Sequence, residues 1–157
     1  MGLIDFIKGA GEKLFGSDEP TAAETAEQLA AEYRAAAALG NAVRKMNIPI
    51  DNLDVKLSGS VATITGTTST QANAELAALV VGNSQGVSQV DNRIEVEIPA
   101  PEAVYYTVVS GDSLSKIAKA QYGDAMKYPE IFEANKPMLS DPDKIYPGQV
   151  LRIPALD

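Results

Sequence analysis

The sequence predicts an α+β protein of two small domains, an N-terminal helix-and-sheet unit followed by a C-terminal βααβ unit. Three observations carry this. Segments with strand alternation are interleaved with segments of helical spacing along the chain. A short proline-rich stretch, Pro99-Ala100-Pro101-Glu102-Ala103, divides them as a stiff linker between two cores expected to pack semi-independently. The 157 residues, 45% of them hydrophobic, suffice for one ordinary core or two small ones. The expected bounds are an N-terminal amphipathic segment over 1–20, a first domain over 21–98, the linker over 99–103 and a second domain over 104–157.

Each element has its own signal. In residues 2–15, Leu3, Phe6, Ile7, Ala10 and Leu14 recur at helical spacing, although Gly9 and Gly11 argue against one unbroken helix. Thr21-x-x-Glu24 reads as a capping box that opens an Ala-rich helix to about Met46, with a stripe of Leu29, Tyr33, Ala36, Leu39, Val43 and Met46. Whether the Ala-rich stretch makes one helix or two is open. Leu53, Val55 and Leu57 alternate with polar residues, Gly59-Ser60 forms a hairpin, and Val61 to Thr65 returns. Thr68-x-x-Gln71 predicts the start of a second helix over Ala72 to Val81, which stops at Gly82-Asn83. A third strand carries Val90, Ile94, Val96 and Ile98.

Composition excludes several function classes. A net charge of −8 disfavours nucleic acid as a partner, because phosphate binding needs a cationic face. With no cysteine and no histidine there are no disulfides, thiol nucleophiles, imidazole acid–base groups or zinc sites of the usual kind. Met1 to Lys8 lacks a basic lead and a long apolar core, so no secretory signal is expected and a cytoplasmic location is. Apolar runs such as Leu76 to Val81 fall far short of the ~20 residues that cross a bilayer.

No catalytic constellation emerges, and a non-enzyme is expected. Ser113-x-x-Lys116 has the spacing of the Ser/Lys pair of penicillin-recognising enzymes, but the companion Ser-Asp-Asn and Lys-Thr-Gly triplets are missing. Asp112 or Ser113 reads instead as a helix N-cap. The pairs Asp51/Asp54 and Asp141/Asp143 are read as turn residues.

Two family resemblances sharpen this. Tyr106-Thr107-Val108-Val109-Ser110-Gly111-Asp112-Ser113-Leu114, then Tyr122-Gly123, Asn135 and Tyr146-Pro147-Gly148-Gln149-Val150-Leu151-Arg152-Ile153-Pro154, resemble a LysM domain. The resemblance implies a glycan groove between Gly111, Asp112, Ser113, Leu114 on one side and Ile145, Tyr146, Pro147 on the other. Ile48-Pro49, Val61-Ala62-Thr63-Ile64-Thr65-Gly66 and the return from Gly82 to Val90 are similar to a BON domain.

The order of the parts, with Met1-Gly2-Leu3 and Phe6 to Leu14 in front, resembles the cytoplasmic bacterial potassium-binding BON–LysM family. That resemblance implies a monomeric cytosolic K⁺ sensor, in which Rb⁺ or Cs⁺ could replace K⁺. It implies an ion held by the backbone carbonyls of Ile7, Ala10, Gly82, Ser84 and Val87, with the LysM unit responding. Read from the residues alone, Gly9, Gly11, Gly82 and Gly86 simply end helices. Carbonyl rings and helix C-termini are nonetheless suitable K⁺ ligands, because they replace water around a large monovalent ion. The alternatives are a LysM module on peptidoglycan or N-acetylglucosamine, and a BON-mediated phospholipid adaptor.

Overall fold

Four strands and two helices make the first unit of the computed structural model, which describes residues 3–5 and 22–156. The Ala-rich stretch is one helix, α1 (Ala22–Lys45). Strands β2 (Asp51–Ser58) and β3 (Val61–Thr70) form the hairpin, closed by Gly59 at φ +61. Helix α2 (Gln71–Gly82) then crosses over to β4 (Gln89–Ile98), which lies parallel to β3. A three-residue strand, β1 (Leu3–Asp5), pairs antiparallel with β4, giving the order β1-β4-β3-β2.

The structure corrects several details. Leu3–Asp5 is a strand, although the apolar spacing over 2–15 is helical; three residues are too few for periodicity to show, and the edge of β4 supplies their partners. Phe6, Ile7, Ala10, Leu14 and the Thr21 cap lie outside the described residues. In α1, Ala36, Leu39 and Val43 are buried as expected, but Leu29 and Tyr33 are 61% and 80% exposed. For Leu29 the cause is length. Glu32 Oε1 accepts a hydrogen bond from the Gly59 amide at 2.7 Å, so this part of α1 is level with the hairpin tip and the preceding turns project beyond the sheet.

Thr70, not Thr68, caps α2, its side chain accepting from the Asn73 amide at 3.3 Å. Thr68 still belongs to β3 and donates to the Pro49 carbonyl at 2.7 Å. Asp51 and Asp54 lie in β2 on either side of a register shift rather than in a turn, with Asn52 between them at φ +55.

The second unit has the expected βααβ order. Strand β5 (Val104–Thr107) pairs antiparallel with β6 (Val150–Ile153), and between them come α3 (Leu114–Tyr122), a 3₁₀ turn (Ala125–Lys127) and α4 (Tyr128–Ala134). Ser113 is the N-cap of α3, accepting from the Lys116 amide at 3.2 Å, and Gly123 ends it at φ +77. Leu114, Ile117, Ala118, Ile131, Leu151 and Ile153 form the core.

The two cores are joined, contrary to the semi-independent packing that the linker predicts. Side chains alternate along β6: Leu151 and Ile153 enter the C-terminal core, while Val150 enters the N-terminal one and Arg152 faces α2. Helix α2 is therefore buried nearly all round, which its run of Ala, Leu and Val requires. In its middle, Glu75 is 1% exposed and Oε2 accepts from Arg152 Nε at 2.9 Å. Glu75 Oε1 accepts from the Ala103 amide at 3.3 Å, and Arg152 Nη1 donates to the Ala134 carbonyl at 3.0 Å. Burial, then the nearby Glu75 carboxylate, hold the Tyr105 phenol well above its usual range.

Removing one member of a buried pair leaves the other charge without compensation. Glu75→Ala should therefore cost about 3–5 kcal/mol in denaturant unfolding, whereas Glu75→Leu combined with Arg152→Met should recover most of that loss.

Candidate functional site

The turn that joins α2 to β4 is the focus of the candidate site. Helix α2 ends without a left-handed residue: its cap, Asn83, keeps φ −80 and donates its amide to the Leu79 carbonyl at 2.8 Å. The Ser84 amide reaches the Val81 carbonyl at 3.1 Å, and Ser84 Oγ donates to the Val80 carbonyl at 2.7 Å. Gly86 then reverses the chain at φ +89, and Ser84 O accepts a long bond from the Val87 amide at 3.4 Å. The Ser88 amide re-enters the fold on the Ser60 carbonyl at 2.8 Å.

Three of the five expected ligand carbonyls, those of Gly82, Ser84 and Val87, thus fall within this one turn. Among the described residues, no backbone amide outside the helices and strands donates to the carbonyls of Gly82 or Val87. The turn also stands at the C-terminus of α2, where the helix dipole is negative. Ile7 and Ala10 lie outside the described residues. The donor chemistry fits a large monovalent cation better than a divalent one. Among the described residues, no three acidic side chains gather, and calcium sites are usually built around carboxylates.

The expected groove residues divide by role. Leu114 is 2% exposed and packs in the core, and Ser113 caps α3. The Asp112 carboxylate accepts from the Val109 amide at 2.9 Å and from the Tyr106 hydroxyl at 2.7 Å, which ties the 109–112 loop to β5. Gly111 completes that loop at φ +89. Ile145 packs partly against the C-terminal core, while Tyr146 is 49% exposed. Tyr146 lines a cleft of about 310 Å³ between the two units, together with Met46, Val80, Ser84, Met138 and Lys144. Ser84 of the turn and Tyr146 of the expected groove thereby share one cavity. Burial raises the Tyr146 phenol above its ordinary value.

Two residues have roles at this seam that the sequence does not announce, and Asn83, expected only as part of a helix stop, is one. Asn83 Oδ1 accepts from the Val150 amide at 2.8 Å, and Asn83 Nδ2 donates to the Val150 carbonyl at 2.8 Å. Glu75 is the other. Its signal was the single charged residue of a helix otherwise rich in Ala, Leu and Val.

Comparisons with known proteins agree with both domain resemblances. The BON domain family matches residues 32–98 and the LysM domain family residues 106–154. Potassium binding protein Kbp of Escherichia coli O6:H1 is 43% identical over 155 residues, spanning 98% of this chain and 99% of that protein. An uncharacterized protein of Deinococcus radiodurans is 40% identical over 114 residues, 66% of this chain and 44% of its own. Esterase Rv1288 of Mycobacterium tuberculosis is 49% identical over 53 residues, 34% of this chain but 11% of the esterase. So short a share says nothing about catalysis here.

Two outcomes test the local geometry. A Cβ at Gly86 meets nothing within 4 Å, so Gly86→Ala should cost only backbone strain, about 1–2 kcal/mol in denaturant unfolding. The amide and hydroxyl donors of Val109 and Tyr106 hold the Asp112 carboxyl below its usual 3.8. Its stabilisation is complete above 3.8 and is lost as pH falls through the lower folded value. Asp112→Asn should therefore be less stable than the parent at about pH 6, with the gap in unfolding free energy closing as pH drops below that range.

Proposed function

This chain belongs to the family of potassium binding protein Kbp, and from that premise we propose that it is a K⁺-binding protein in which the ion is held by backbone carbonyls of the BON unit. The observation that carries the reading is similarity over 99% of a relative whose name states potassium binding. The proposed ligands are the carbonyls of Gly82, Ser84 and Val87 with those of Ile7 and Ala10. The register of β1 supports this set. Asp5 pairs with Gln89, two residues from Val87, and Ile7 follows Asp5 by two residues, a reach of at most about 7 Å.

The task is binding rather than catalysis. Carbonyls replace the hydration shell of a large, singly charged ion at modest dehydration cost, and Rb⁺ or Cs⁺ should take the place of K⁺. Because backbone atoms bind, side chains in the turn can vary, and Ser84→Ala should leave affinity nearly unchanged. In this reading the chain is a monomeric cytosolic sensor, and the LysM unit responds when the ion orders the turn against which β6 is packed.

Thermal unfolding in K⁺ and in Na⁺ at matched ionic strength tests the proposal. At a hundred times the dissociation constant, bound K⁺ should add about 2.7 kcal/mol of stability, which for this size raises the midpoint by roughly 5–10 °C. Equal midpoints in the two salts would overturn it.

A further inference from the structure

Among the described residues strand β6 has one partner strand, so half of its backbone groups face outward. The N–H and C=O of one strand residue point to the same edge, and those of Val150 and Arg152 point away from β5. Both residues are satisfied in the same way. Asn135, at the C-terminus of α4, accepts from the Arg152 amide and donates to the Arg152 carbonyl, each at 2.9 Å. Asn83 does the same for Val150, at 2.8 Å for both bonds. A carboxamide presents one acceptor and one donor side by side, as a strand residue does. The edge of β6 is thus closed by two side-chain amides, one from its own unit and one from the other.

Asn83 is also flanked by two of the proposed ion ligands, Gly82 and Ser84. We infer that Asn83 is the positioning residue through which an ion at the 82–87 turn acts on the LysM unit, by fixing the carboxamide that completes β6 at Val150. This rests on the K⁺ reading above. The cation orders the two carbonyls on either side of Asn83, and with them the Cα from which the clasp extends. The Met138 sulfur, 3.4 Å from Asn83 Nδ2, marks the other wall of the same seam. The buried Glu75–Arg152 pair, two turns earlier on α2, keeps the units docked whether or not the clasp is closed. Linkage then requires reciprocity: a residue that transmits ion binding to β6 must also transmit β6 docking to ion affinity.

The test uses the full chain and amide hydrogen exchange in K⁺ and in Na⁺. In the parent, K⁺ should slow exchange of the Val150 amide by roughly 5- to 10-fold or more. Asn83→Ala keeps a residue suited to φ −80 and should still gain thermal stability in K⁺, but the K⁺-dependent protection of Val150 should vanish and K⁺ affinity should fall several-fold. Asn83→Asp retains the acceptor for the Val150 amide and loses the donor, so it should fall between the two, and it serves if the alanine variant fails to fold. K⁺-dependent protection of Val150 that is equal in parent and variants would overturn the clasp while leaving ion binding intact. No K⁺-dependent stabilisation of the parent would overturn the ion reading itself.

Discussion

The structure depends on a two-stranded sheet that cannot close itself. Every buried backbone donor and acceptor must find a partner, and β6, buried on both faces, has an outer edge that water cannot serve freely. The protein meets this with side chains from two helices and with a strand whose alternate residues feed two different cores. The burial of Arg152 follows from the same alternation, since the residue after Leu151 has to face α2. Its guanidinium then needs Glu75, and the apolar surround of α2 leaves that carboxylate no other cationic partner among the described ion pairs. The seam between the units is therefore built from the consequences of one short strand.

Much of this architecture was legible in advance, and the failures have identifiable causes. The hairpin, the crossover helix and the βααβ unit are visible because alternation, helical spacing and glycine breaks all agree there. The short edge strand Leu3–Asp5 was not, since its pairing with residues 89–91 has no local signature. The choice between Thr68 and Thr70 turned on where β3 ends, which depends on pairing with β4. Leu29 carried the right spacing on the wrong part of the helix, because helix length relative to the sheet is a tertiary quantity.

The candidate site was legible in a different sense. Every residue has a carbonyl, so an ion cage of main-chain oxygens leaves only glycines and helix ends as its trace in a sequence. Family resemblance supplied the positions, three of which fall in the one turn after α2. Asn83 was hidden for the opposite reason. Its side chain does the specific work, yet its partner is a backbone peptide 67 residues away, which no side-chain pattern can advertise.

Val150 has a consequence for how such chains recombine. A LysM unit handled as a portable cassette would be cut at the linker and joined to a new neighbour. Here the cut would separate Val150 from its core and leave its peptide group without a carboxamide cap, turning a closed edge into an adhesive one. Grafting this unit elsewhere means transplanting an asparagine and a glutamate from outside its own family boundary. The domain as a unit of sequence and the domain as a unit of folding differ here by one helix face.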